Sequence, residues 1–482
     1  MANNNNVKRL IKESTIMNIL NTHGDEGFIT LLIEGSHGQG KSAAVRSAAS
    51  EMGGICVTIE GGVLQQGELT GIPLALKDAH TGEPIFKFIK HPQIEAIANI
   101  EKRIYEKFMA GELLGGKLRY DAETNEIIYE EKPGTVHRYP QMSEWEKIAR
   151  GEVNEFKFGE ELPAKVKLQL LENKDIPTVQ LFIDELNRAE MPTMKEMMNL
   201  VLNRNINGYY IPWWVNIVSA INPASDQIDY AVSDLDPAQL DRFMKVRLTT
   251  DFKEWVDFAL STKRDANAVA ALAADPQLFG NNVRYDSTEN RPSPRSWSIA
   301  IAVVETLQAA LSTKFFSDEE RKMYDDDLHT LICAKVGLSQ GEEFIANINN
   351  KETRIIPTEM LTCKAPKCPE SAVAKFKAQN TITRLCTISL ILNYINDNFD
   401  AIMKTDDEER KVRSFNFTSQ LKHFVTEVLS GAEQMFVISK IKNPMFIRDD
   451  IFKALAVHIF GKELYARIVA NDKELKEIGG TL

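Results

Sequence analysis

Eight consecutive residues, Gly35-Ser36-His37-Gly38-Gln39-Gly40-Lys41-Ser42, have the make-up of a phosphate cradle. A nucleoside triphosphate needs many donors packed around its oxygens, and side chains there would crowd one another. Gly35, Gly38 and Gly40 let backbone N–H groups turn inward. A helix starting at Lys41 would aim its N-terminus, with its partial positive charge, at the same oxygens. Lys41 would place a point charge on the β- and γ-phosphates and Ser42 would ligate magnesium, with Ala43 closing the phosphate-binding segment. His37 reads as a spacer inside the loop.

Two acids, Asp184 and Glu185, follow the apolar run Leu181-Phe182-Ile183. A carboxylate at the end of a buried strand is costly unless a cation or donor meets it. Beside a phosphate site, Asp184 is expected to hold magnesium through water and Glu185 to polarise the attacking water. Asn222, in Ser219-Ala220-Ile221-Asn222-Pro223, stands where it would reach a γ-phosphate, although a turn-forming Asn before Pro has the same look. Arg242, in Asp234-Leu235-Asp236-Pro237-Ala238-Gln239-Leu240-Asp241-Arg242-Phe243, and Arg295, in Ser293-Pro294-Arg295-Ser296-Trp297, fit either of two readings. Each is an arginine presented to a triphosphate or an ordinary surface ion pair, and spacing leaves both open.

These groups need a frame. Residues 28–33 are apolar and β-prone, 41–51 read as a helix stopped by Met52-Gly53-Gly54, and 55–59 read as a second buried strand. Strand, loop, helix and strand in this order form a βαβ unit, so the fold class is α/β with a parallel sheet. Residues 179–183, 215–220 and 244–248 supply further strands. Met194, Met197, Met198, Val201 and Leu202 recur at helical spacing and read as core. Asn207-Gly208 reads as a hairpin turn with 209–214 as the arm leaving it. The pattern loosens over about 74–178, an insertion with a charged helix at 93–109 and a turn at Glu131-Lys132-Pro133-Gly134. Beyond Asp251 the signals turn helical, with helices expected at 252–261 and 296–311. The charge run Asp406-Asp407-Glu408-Glu409-Arg410-Lys411 reads as a solvated loop or helix start.

A chain of 482 residues can bury two or three cores. Its net charge of −11 argues against a broad basic face for nucleic acid. The five cysteines, Cys56, Cys333, Cys363, Cys368 and Cys386, are odd in number and mostly scattered, which suits reduced thiols rather than a disulfide framework. Cys363 and Cys368 lack a second Cys or His pair at zinc-like spacing. No apolar run reaches membrane-spanning length, and the polar start Met1-Ala2-Asn3-Asn4-Asn5-Asn6 has no signal-peptide pattern, so a cytoplasmic protein is expected.

Taken together the motifs resemble those of the AAA+ ATPases, and within them the MoxR branch, over about residues 11–304. The carrying residues are 35–42, Gly67-Glu68-Leu69-Thr70-Gly71-Ile72-Pro73, 182–189, Ala220-Ile221-Asn222-Pro223 and 235–243, with the runs Asp184-Glu185-Leu186-Asn187-Arg188-Ala189 and Asp236-Pro237-Ala238-Gln239-Leu240-Asp241-Arg242-Phe243 especially characteristic. The resemblance implies an ATPase core over 1–250, a helical lid over 251–312 and a mostly helical C-terminal region over 313–482 whose role it leaves unassigned. It implies ATP and Mg2+ as cofactors and a homo-oligomeric ring, usually a hexamer, with ATP at the subunit interfaces. Lys41 and Ser42 then match Walker A, Asp184 and Glu185 Walker B, and Asn222 the first sensor. Arg242 matches the finger entering the neighbour's site, Arg295 the second sensor, and Arg188 a second group acting across the interface. The stretch 67–73 matches the start of the helix-two insertion, and 209–214 falls where the family has a hairpin facing the pore or a partner. The segment between 73 and 179 is longer than the branch's usual spacing. Chaperone-like remodelling of a protein client is the activity implied, with a von Willebrand factor A domain protein as a partner. The alternative is a nucleic-acid translocating or defence-system motor, for which Lys102, Arg103, Lys107, Lys117 and Arg119 would supply a basic strip.

Overall fold

Alternating apolar residues on the inner strands serve two cores at once. The computed structural model describes residues 3–20, 28–77, 84–141, 158–223, 235–279, 292–311, 317–349, 355–403, 407–441, 448 and 451. Asp234, Asp406 and the stretches 1–2, 142–157 and 452–482 lie outside the described residues. The chain divides into two compact units, Met1–Thr250 and Asp251–Leu482.

In the first unit, strands β1 (Leu31–Glu34), β2 (Ile55–Glu60), β3 (Val179–Asp184), β4 (Val215–Ile221) and β5 (Met244–Arg247) form one parallel sheet. Their order is β5-β1-β4-β3-β2. The inner strands β1, β3 and β4 are buried almost end to end, as strands covered on both faces must be. Side chains alternate between faces. Leu31, Ile33, Phe182, Val218 and Ala220 join Val7 and Ile11 of helix α1 (Asn4–Leu20) and Val45 and Ala48 of α2 (Lys41–Glu51). Leu32, Leu181, Ile183, Ile217 and Ile221 join the larger core instead. That core takes in Ile97 and Phe108 of α3 (Pro92–Met109), Leu170 of α4 (Ala164–Glu172) and Met194 and Met197 of α5 (Met191–Asn203). Leu202 of α5 is instead half-exposed.

Two strand expectations shift. Residues 28–30 lie outside the strand: the Ile29 N–H and C=O are both taken by the Asn18 side chain, at 2.7 and 2.8 Å, and Thr30 contributes its C=O, which accepts the Met244 N–H at 2.9 Å. Residues 55–59 do form a strand, but β2 is an edge with β3 as its one neighbour, and Ile55 is exposed rather than buried.

The described part of the stretch expected as an insertion packs against the same core. It holds the hairpin Ile72–Lys77 with Pro84–Ile89, then α3, then an antiparallel three-stranded sheet of Leu118–Asp121, Glu126–Lys132 and Thr135–Pro140. Leu118, Ile127 and Tyr129 pack into the large core with Trp213 and Trp214. This corrects the reading of 209–214 as a hairpin arm open to a pore or partner. Only Tyr209–Tyr210 pairs, with Asn205–Ile206, across the positive-φ turn Asn207-Gly208. Tyr209, Ile211, Trp213 and Trp214 are buried, and covering an aromatic of this size is worth about 2–3 kcal/mol. Tyr209 Oη also donates to buried Glu101, at 2.9 Å.

The second unit is helical. Trp255 of α6 (Phe252–Ser261), Leu272 of α7 (Ala266–Ala274) and Trp297 of α8 (Pro294–Leu311) share one core with Val336, Phe344 and Cys386. A further core gathers Phe376, Ile388, Phe417 and Phe424. Asp407 caps the helix Glu408–His423, so the described part of the charge run is a helix start. Among the described residues no helix is long and apolar enough to cross a membrane.

Candidate active site

The C-terminal ends of the five strands lie in register: Glu34 faces Ile221 on one side and Arg247 on the other, and Glu60 faces Asp184. This is the edge of a parallel sheet where loops can gather groups around a ligand. Glu34 fixes the end of β1. Burial by itself would raise its carboxyl, but hydrogen bonds from Lys245 and Arg247, both 2.8 Å away, hold it below the usual carboxylate range.

The loop 35–40 springs from there. The Gly35 N–H donates to Ile221 O at 3.2 Å. Gly38 and Gly40 have φ of 76° and 88°, left-handed values that a side chain would strain. Gln39 braces the loop: its Oε1 accepts from the Ser36 N–H at 3.1 Å, and its carbonyl accepts from Thr250 Oγ1 at 2.8 Å. His37 is exposed, and Ala43 sits exposed in the first turn of α2.

Lys41 is buried at the start of α2. Its Nζ donates to Gly35 O at 2.6 Å, to Ser36 O at 3.3 Å and to Asn222 Oδ1 at 2.7 Å. Ser42 Oγ donates to Asp184 Oδ2 at 2.6 Å. Asn222 follows β4, the strand between those carrying the loop and the acids. It is 2% exposed, and its Nδ2 has no hydrogen-bond partner among the described residues. A buried, unspent donor is costly unless a ligand meets it.

The chain turns sharply at Glu185, whose φ of 52° is left-handed and costs about 1–2 kcal/mol in an L-residue. Asp184 Oδ1 accepts the Glu185 N–H at 3.0 Å and steadies the turn. Arg188 Nη1 reaches Glu185 Oε1 at 3.0 Å within the same chain. Arg242 is exposed just after the one-turn helix Pro237–Leu240, and its side chain makes no ion pair among the described residues. Arg295 is exposed in the first turn of α8, in the other unit. The first unit therefore gathers Lys41, Ser42, Asp184, Glu185, Arg188 and Asn222 at one sheet edge.

Three further residues of this edge were given no role of their own by the motif reading. A Cβ on Gly61 would stand 2.8 Å from Glu185 O, and one on Gly62 would stand 3.0 Å from Glu185 Oε2. These two glycines after β2 leave room for the turned acid. Their signal was a Gly-Gly pair at the end of the strand Ile55–Glu60, the second strand of the βαβ unit that holds the glycine-rich loop. The third is Asn187, whose side chain is buried against the Asn222 main chain.

No family model and no curated protein matches the chain. Among solved structures it is similar to NtrX from Brucella abortus, at 12% identity and a TM-score of 0.31, covering 90% of this chain and 67% of that one. Likeness at that level settles neither fold nor function, and the sheet and its edge carry the reading.

Proposed function

We propose that the chain is an ATP-hydrolysing P-loop ATPase of AAA+ type, resembling the MoxR branch, that couples turnover to remodelling or assembly of a protein partner. The observation that carries the ATPase reading is the convergence of Lys41 on Asn222 and of Ser42 on Asp184, at 2.7 and 2.6 Å, beneath a loop with two left-handed glycines.

The residues fit a magnesium–triphosphate. The hydroxyl and carboxylate of Ser42 and Asp184 are hard oxygen donors already side by side, suited to a cation that keeps most of its waters. When bound, magnesium would draw negative charge from the β- and γ-phosphates. Lys41 would neutralise the same oxygens, and its buried ammonium already faces carbonyl oxygens it can exchange for phosphate. The unspent Nδ2–H of Asn222 would donate to the γ-phosphate or to the attacking water. Glu185 would accept the proton of that water, with Arg188 holding its carboxylate until then. Arg242, exposed and without an ion pair among the described residues, would serve a neighbouring subunit's site in a ring, usually of six copies in the family that the motifs resemble, and Arg295 would serve as a sensor in a lid. The ring, the protein client and a von Willebrand factor A domain partner rest on the motif resemblance.

The test is phosphate release from purified full-length protein with ATP and magnesium, followed as protein concentration rises. Turnover per chain should climb with concentration and be lost in Lys41→Ala, and Arg242→Ala should lose it while still binding ATP. Equal turnover by Arg242→Ala would remove the need for a neighbour. DNA-stimulated, salt-sensitive turnover would favour the nucleic-acid motor over a protein client.

A further inference from the structure

The hydrogen-bonded ladder between β3 and β4 runs from the Val215–Val179 pair to the Ser219–Ile183 pair. Beyond it, Ala220 and Ile221 remain tied to β1, while Asp184 stays paired with Glu60 of β2 and the chain turns away at Glu185. The two halves of the candidate site, the phosphate side on β1 and β4 and the acid side on β3, are thus separated where the chemistry needs them fixed.

Asn187 spans that gap. It lies in the one-turn helix Leu186–Arg188 and is 3% exposed. Its Nδ2–H donates to Asn222 O at 2.8 Å, and its Oδ1 accepts the Asn222 N–H at 3.2 Å. One carboxamide thereby meets both backbone groups of one residue, a task needing a donor and an acceptor on a short planar group. The contact closes a ring of named links. Lys41 holds Asn222 Oδ1, Asn187 holds the Asn222 backbone, Asp184 holds the Glu185 N–H, and Ser42, next to Lys41, holds Asp184.

We propose that Asn187 is a positioning residue that fixes the Asn222 amide relative to the Glu185 carboxylate, so that water and γ-phosphate are addressed from a constant distance. The proposal rests on the ATPase reading above. Asn187 acts through Asn222 and Glu185 and touches no substrate itself.

The test uses full-length Asn187→Leu, which keeps the side chain's branching and removes both bonds. We expect kcat to fall about 10- to 100-fold, the scale of a misplacement near 1 Å, with ATP affinity changed less than about threefold. Asn187→Leu added to Asn222→Ala should lower kcat no further than Asn222→Ala alone, because the tie then has nothing to position. If Asn187→Leu does not fold, as judged by melting, Asn187→Asp, which keeps shape and acceptor but loses the donor, is measured in the same way. A kcat within twofold of the parent, or an additive loss in the double variant, overturns the proposal. A parent protein that releases no phosphate overturns the ATPase reading, and this inference falls with it.

Discussion

At the N-terminal ends of β3 and β4, Gln180 and Asn216 are buried side by side, and just beyond the C-terminal ends of the same strands stand Glu185 and Asn222. At the first end every group is neutral and met. Asn216 donates to Gln180 Oε1 at 2.9 Å and to Ser14 Oγ at 3.3 Å, and accepts from Asn18 at 2.7 Å. Gln180 in turn donates to Thr15 Oγ1 at 3.0 Å. This network fastens α1 across the sheet. At the other end an acid stands beside an amide, Glu185 has a left-handed backbone, and Asn222 Nδ2 is buried without a partner among the described residues. Two buried asparagines, one in β4 and one just after it, thus differ in that only the second has a donor left over. A satisfied polar network is glue, whereas an unsatisfied one beside a strained acid is built for something else to complete it.

The sharpest way to break this contrast is Glu185→Gln. The site reading expects turnover to fall by 10²- to 10⁴-fold while ATP stays bound, measured by phosphate release and by retention of labelled nucleotide. Undiminished turnover would reduce the strained acid to a structural feature. Next comes the pair Asn216→Ala and Asn222→Ala. Asn216→Ala strands several buried partners and should cost about 2–4 kcal/mol in denaturant unfolding, with kcat per folded chain unchanged. Asn222→Ala, which leaves Lys41 its two carbonyl partners, should do the reverse, losing turnover at least tenfold for a smaller stability cost of about 1–2 kcal/mol. If both behave alike, the two ends of the sheet do not differ in kind.

The smallest effect comes from a buried charge outside both networks. Lys167 donates to Glu160 O at 2.7 Å, and burial lowers its pKa from 10.5 to about 8. Between those values the unfolded chain holds the extra proton, so raising the pH favours the folded state. Relative to Lys167→Met, the parent should gain on the order of 1–3 kcal/mol between about pH 8 and pH 10.5. A flat difference across that window would mean that Lys167 keeps its proton in the fold.

The residues of the candidate site were legible as a group because their neighbours in sequence announce them. Gly38 and Gly40 precede Lys41 at the start of a helix, and Asp184 ends an apolar strand, so local pattern sufficed. The helices 41–51 and 252–261 fall where periodicity and stop signals put them. The aromatic run 209–214 misled, because an apolar segment after a hairpin turn reads the same whether a partner or the chain's own insertion covers it. Residues 28–30 misled because a side chain 11 residues away supplies what a strand neighbour would have supplied. By itself the sequence determined the glycine-rich loop before a helix, the paired acids after an apolar strand and the parallel α/β class, all set by short-range residue order. Only the tertiary structure decided that Asn18 replaces a ladder bond, that Gly61 and Gly62 make room for Glu185, and that Asn187 meets Asn222 across 35 residues of chain. Those contacts form between segments whose proximity depends on strand order, and no local spacing encodes it.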